Sequence, residues 1–151
     1  MKTVKNILET TNNISNIIPP QTLVIDALKK MIDVNLSYLV VMDGDKYKGI
    51  FSERDYSRKV ALKGRTSDST KVADVMTTDI PPVGITDTVE TCMNMMNMYK
   101  TRYLLAFDDR QFIGVVTIHD LLRQVIFNKG EVFDTSIAKK LIDNEESGRI
   151  Y

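Results

Sequence analysis

The sequence predicts a mixed α/β fold of the α+β kind, built twice from one module. Two observations carry this reading. First, Gly49-Ile-Phe-Ser52-Glu-Arg-Asp55 and Gly114-Val-Val-Thr117-Ile-His-Asp120 share one spelling: glycine, two apolar residues, a hydroxyl, two variable positions, aspartate. They lie 65 residues apart (114 less 49), and the same offset maps Met31 to Met96, Tyr38 to Tyr103, Leu39 to Leu104, Asp43 to Asp108 and Arg58 to Arg123. A constant register over so many positions marks a tandem duplication. Second, short β-rich runs in each copy alternate with stretches of helical periodicity, which argues a sheet with flanking helices. Two such copies can pack about a pseudo-twofold axis and create paired clefts.

The first copy reads in the order strand, helix, strand, strand, helix. Val4-Lys-Asn-Ile-Leu8 opens with a short apolar turn, and residues 14–18 form a brief strand stopped by Pro19-Pro20. Leu23, Ala27, Leu28, Met31 and Ile32 recur at helical spacing over 23–34. Residues 38–42 and 47–51 flank Asp43-Gly44-Asp45, a loop suited to a tight hairpin. Ser52 then opens a helix to about Lys63. The second copy repeats the order. Val83 sits in a short strand after Pro81-Pro82, and Asp87 or Thr88 caps a helix to about Tyr99. Residues 103–107 and 111–117 form the hairpin, and 118–128 the closing helix. Val72-Ala-Asp-Val-Met76-Thr77 echoes the opening Val4–Leu8 segment. The repeats therefore divide as 4–66 and 67–128, joined by the polar linker Ser67-Asp68-Ser69-Thr70. A tail over 129–151 carries Ile137, Leu141 and Ile142 at helical spacing, predicting one short helix.

Composition excludes several classes. Twenty basic and twenty acidic residues balance, so no global field attracts nucleic acid or an anionic membrane. The longest apolar runs fall far short of the roughly 18 residues of a membrane span. No charged-then-apolar leader is evident, and a single cysteine precludes an internal disulfide, so the expected setting is cytoplasmic, with an organelle matrix fitting equally well.

The repeated motif supports two readings. A hydroxyl at a helix N-cap with an acid three residues later approximates a capping box, which stabilises a helix start by about 1 kcal/mol. The same geometry suits a ligand: helix N-termini attract phosphate, and a carboxylate one turn in can accept both hydroxyls of a ribose. A cap does not require the preceding glycine, whereas close backbone approach to a ligand could. The other residues read mostly as structure. Cys92 occupies the position of Ala27 and fits a small buried core residue better than a nucleophile. Met93 and Met96 repeat apolar positions of the first copy. His119 is the only histidine, so a histidine metal cluster is impossible. Asp43, Asp45, Asp108 and Asp109 sit in hairpin turns, where acids are common. Arg54, Arg58, Lys59, Lys63 and Arg65 form a basic run, but Tyr56 alone interleaves with it, too few aromatics for a base-stacking platform.

The run from about Val4 to Asn128 resembles a tandem pair of cystathionine-β-synthase (CBS) domains, the arrangement called a Bateman module. The two Gly-x-x-Ser/Thr-x-x-Asp motifs carry the resemblance, with Ala27-Leu-Lys-Lys-Met31, Cys92-Met-Asn-Met-Met96 and Val72-Ala-Asp-Val-Met76-Thr77. Ser52-Glu-Arg-Asp-Tyr-Ser-Arg-Lys59, Lys63-Gly-Arg65 and the terminal Gly148-Arg-Ile-Tyr151 are similar to a subgroup of small stand-alone CBS-pair proteins. The resemblance implies adenine-nucleotide binding in clefts between the paired domains. By position, Asp55 and Asp120 would hold ribose hydroxyls, and Ser52 and Thr117 ribose or phosphate. Arg102, whose first-copy counterpart is Ser37, would face phosphate, and Arg54, Arg58 and His119 would add contacts. The segments around Ile17 and Ile80 would line adenine, each serving the aspartate of the opposite repeat. The family's Arg-His-x-Pro-Val reads Arg102-Tyr-Leu-Leu-Ala106 here, without histidine or proline. Members of the family bind AMP, ATP, NAD or S-adenosylmethionine, or no ligand. No catalytic constellation is visible. The resemblance thus implies a non-enzymatic regulatory homodimer, requiring no cofactor and signalling in trans to an effector protein. The alternative is a ligand-free assembly module whose motifs only cap helices.

Overall fold

Each copy of the repeat folds around one β-hairpin. In chain order the elements are α1 (Val4–Thr10), β1 (Ile17–Ile18), α2 (Val24–Val34), β2 (Tyr38–Asp43), β3 (Lys46–Ser52), α3 (Glu53–Asp55), β4 (Pro82–Gly84), α4 (Val89–Tyr99), β5 (Tyr103–Asp108), β6 (Gln111–Thr117) and α5 (Ile118–Phe127). This is a computed structural model, and it describes residues 2–10 and 16–127. The predicted tail helix, and Ile14 of the predicted first strand, lie outside them.

The duplication extends to hydrogen-bond register. β1 runs parallel to β2, pairing Ile17 with Val40, and β4 runs parallel to β5, pairing Pro82 with Leu105. Both hairpins are antiparallel, and both shift register at one place, between Val41 and Met42 and between Ala106 and Phe107. Each three-stranded sheet therefore has the order β1-β2-β3 or β4-β5-β6. The long helices match too. α2 and α4 both end on a left-handed residue, Asn35 and Lys100, whose amide bonds back to the last turn.

The packing units are cut differently from the sequence repeat. One unit is Asn13–Asp79, and the other joins Met1–Asn12 to Ile80–Tyr151. In the second unit, Val4 and Lys5 donate backbone hydrogen bonds to Asp87 and Ile85 (2.9 and 3.0 Å). Val4 and Ile7 of α1 lie in its core beside Val89, Cys92, Met96, Leu104 and Leu121. In the first unit, Val72 and Val75, at a 3-10 turn (Val72–Asp74), join Val24, Ala27, Leu39 and Phe51. The segment preceding each copy thus packs on the other one. Each such fully buried side chain contributes roughly 1.5–3 kcal/mol.

The polar linker is part of the first unit. Helix α2 begins at Leu23, which has no side-chain acceptor to cap its amides. The carbonyls of Thr70 and Ser67 accept from Val24 and Ile25 instead (2.8 and 2.9 Å). Thr70 is buried, its hydroxyl donating to the Thr66 carbonyl at 2.7 Å. The helix expected from Ser52 to Lys63 is also modified. Only Glu53–Asp55 is α-helical, and Tyr56–Ala61 is wound as a π-helix, with Leu62 N–H bonding five residues back to Ser57. Its counterpart α5 is regular.

Candidate functional site

Both motifs lie where a hairpin strand turns into its helix, and both form the predicted cap. In the first copy, Ser52 N–H and Oγ–H donate to Asp55 Oδ2 (2.9 and 3.1 Å), and Asp55 N–H donates to Ser52 Oγ (3.3 Å). In the second, Thr117 N–H donates to Asp120 Oδ2 (2.9 Å), and Asp120 N–H to Thr117 Oγ1 (3.2 Å). Asp55 and Asp120 are 4% and 6% exposed, a depth at which a carboxylate needs such partners. Ser37 and Arg102 hold equivalent places beside these helix starts. The Ser37 carbonyl accepts from Glu53 N–H and the Arg102 carbonyl from Ile118 N–H, each at 3.0 Å.

The remaining oxygen of each carboxylate is held differently. Asp55 Oδ1 accepts from Thr77 Oγ1 at 2.7 Å and pairs with Lys59 Nζ at 3.0 Å, and Lys59 also reaches Thr77 Oγ1 at 3.3 Å. Asp120 Oδ1 pairs with Arg123 alone among the described residues. Neither Thr77 nor the Lys59 pairing is among the sequence-based site residues. Lys59 stands four residues after Asp55, the spacing of a helical ion pair, so a signal for it exists. Thr77 lies 22 residues from Asp55 and carries no spacing signal.

The other predicted positions are distributed as follows. Arg54 is half-buried and Arg58 exposed, both just after Ser52. His119 is exposed at the second position of α5. Ile17, half exposed, lies on β1 in the unit of Asp55, and buried Ile80 precedes β4 in the unit of Asp120.

The glycine of each motif has a packing reason. A Cβ on Gly49 would stand 2.8 Å from both Met76 Sδ and the Thr77 carbonyl oxygen, and one on Gly114 would meet Leu8 Cδ2 at 3.3 Å. Met76 and Leu8 hold matching places in the echoed segments, so the glycines admit those segments. Close approach by the protein's own segments thus accounts for the glycines without a ligand. Cys92 is fully buried in the core as expected. Burial foremost, then the nearby Asp87 charge, pushes its thiol up to about 12, so it keeps its proton at neutral pH. Among the described residues no three His, Cys, Asp or Glu side chains are placed to hold a metal ion, and no helix is long and apolar enough to cross a membrane.

Two small sheet-and-helix units, each presenting a hydroxyl-capped aspartate at a strand-to-helix junction, define a duplicated α+β module. The chain belongs to the CBS domain family, whose model matches residues 4–62 and 72–126. It is 35% identical over 113 residues to the CBS domain-containing protein CBSX3, mitochondrial, of Arabidopsis thaliana. That match covers 72% of this chain but only about half, 55%, of the relative. A crystal structure of a CBS domain, NE2398, superposes with TM-score 0.77 at 36% identity, covering 83% of this chain and 99% of that one. A putative signal-transduction protein with CBS domains from Burkholderia ambifaria gives 0.76 at 31%, covering 88% and 99%. CBSX2, solved in complex with AMP, shares the fold at TM-score 0.66 and 24% identity, covering 84% and 98%.

Proposed function

We propose that the protein is a non-enzymatic regulatory module that binds adenine nucleotides of the AMP, ATP or NAD type through its capped aspartates. The carrying observation is that one hydroxyl–aspartate cap is built twice at a helix start, with the backbone N–H to Oδ2 bond at 2.9 Å in both copies. Asp55 and Asp120 accept ribose hydroxyls, and Ser52 and Thr117 bind ribose or phosphate. Arg102, Arg54, Arg58 and His119 supply phosphate contacts, Ser37 stands in Arg102's place in the first copy, and Ile17 and Ile80 pack on adenine. The CBSX2–AMP complex supports this reading at the level of fold. The module works as a homodimer in the cytoplasm or an organelle matrix, and needs no cofactor. Ligand that favours one arrangement shifts its population, and a partner protein reads the shift.

One observation favours the competing reading of a ligand-free assembly module: the Asp55 cap and both glycines are used by the protein's own packing. Thermal unfolding of nucleotide-free protein against AMP, ATP, NAD and S-adenosylmethionine separates the two. At a hundred times its dissociation constant a ligand adds about 2.7 kcal/mol, a rise of roughly 5–10 °C. A selective rise, lost in Asp55→Ala together with Asp120→Ala, supports binding. No shift with any of them supports assembly.

A further inference from the structure

The two aspartates differ in acceptor capacity, and the difference sets an order of occupancy. A carboxylate offers about four acceptor positions, two on each oxygen. Asp55 has all of them filled: Ser52 N–H and Oγ–H on Oδ2, Thr77 Oγ1–H and Lys59 Nζ on Oδ1. Among the described residues Asp120 receives Thr117 N–H on Oδ2 and Arg123 on Oδ1, which leaves one position on each oxygen.

The asymmetry comes from how the echoed segment ends. After the 3-10 turn the chain extends, and Thr77 exchanges two backbone hydrogen bonds with Ile50 (2.8 and 2.9 Å). That bridge sets the Thr77 hydroxyl on Asp55. In the other copy the segment remains helical to Thr10, Leu8 lies over Gly114, and the next residue, Glu9, is exposed. A glutamate there is no hydroxyl donor. The offset places Gln124 at the position of Lys59, and the cation on Asp120 is Arg123 instead, so the copies differ in the hydroxyl donors rather than in the cation.

We propose that Thr77 and Lys59 act as an internal stand-in for the two ribose hydroxyls, closing the first-copy site while the Asp120 site stays open. This rests on the nucleotide-binding reading and deepens it. Nucleotide enters at Asp120 first. Entry at Asp55 requires Thr77 and Lys59 to withdraw, which loosens the Thr77–Ile50 bridge and the segment it holds.

The test is isothermal titration of AMP into nucleotide-free wild type, a T77V/K59M double variant and D120A, each confirmed folded by circular dichroism. Breaking hydrogen bonds to a charged group makes the first-copy site about tenfold or more weaker than the second. Wild type is expected to show one tight site per chain, lost in D120A. The double variant is expected to gain a second site approaching the first in affinity. Two equal sites in wild type would overturn the stand-in while leaving nucleotide binding intact, and wild type alone suffices for that result. An unchanged stoichiometry in the folded double variant would also overturn it. Absence of AMP binding in all three proteins would overturn it together with the reading beneath it.

Discussion

Replacing Gly49 by alanine separates packing from ligand access as the reason for this residue. The new Cβ would stand 2.8 Å from Met76 Sδ and 2.8 Å from the Thr77 carbonyl oxygen. The thioether can swing aside. The carbonyl cannot do so freely, because it accepts from Ile50 N–H at 2.9 Å, while Thr77 N–H donates to the Ile50 carbonyl at 2.8 Å. Overpacking of this kind costs about 1–3 kcal/mol, and a backbone obstacle argues for the upper end. At roughly 2–4 °C per kcal/mol for a chain of this size, Gly49→Ala lowers Tm by roughly 6–12 °C. Gly44→Ala is the control. It has φ +63° and no atom within 4 Å of the place a Cβ would take, so it carries only the left-handed backbone penalty of about 1 kcal/mol. Thermal unfolding by circular dichroism, on nucleotide-free protein, reads both. Gly49→Ala within about 0.5 kcal/mol of wild type would refute the packing account and return the glycine to ligand approach.

Three further outcomes follow from the same structure. The Cys92 thiol, raised from its ordinary 9.0 to about 12, stays protonated when the unfolded chain's thiol ionises. Stability is therefore fully present below about pH 9 and falls by about 1 kcal/mol per pH unit above it. Cys92→Ala should flatten that slope between about pH 9 and 10 in denaturant titrations, and native wild type should resist iodoacetamide at about pH 8. Thr88 Oγ1 accepts from Thr91 N–H at 3.1 Å at the start of α4, so Thr88→Ala should cost about 1 kcal/mol by urea unfolding. Met96 is fully buried whereas Met98 is 71% exposed. By the same assay Met96→Ala should cost about 2–5 kcal/mol and Met98→Ala under about 0.5.

Much of the fold is legible in the sequence because the repeat presents every element twice. Hairpins, α2, α4 and α5 fall within one or two residues of their predicted bounds, since periodicity and turn residues agree locally in both copies. The features that escape depend on contacts distant in sequence. Nothing local in Ser67–Thr70 distinguishes a polar linker from a backbone cap for α2, because the need for the cap arises from Leu23. The exchange of opening segments between copies is likewise invisible, as Val4–Leu8 and Val72–Met76 carry the same apolar pattern wherever they pack. The π-helical winding of Tyr56–Ala61 has no composition signal.

The site shows the same division. Ser52, Asp55, Thr117 and Asp120 are readable because one short motif fixes them, and Ser37 and Arg102 because the offset pairs them. The glycines are close-approach positions, as the motif suggests, but the approaching group is Met76 with Thr77, or Leu8. The acceptor saturation of Asp55 depends on Thr77 arriving through a β-bridge, which no spacing rule encodes.

The central claim is that the capped aspartates hold the ribose of an adenine nucleotide. The most direct test is a crystal structure of the protein grown with AMP. The account predicts both ribose hydroxyls within hydrogen-bonding distance, about 2.5–3.0 Å, of the Asp120 carboxylate, with Thr117 at the ribose or phosphate. AMP bound elsewhere, or bound with its ribose turned away from both Asp120 and Asp55, would contradict it.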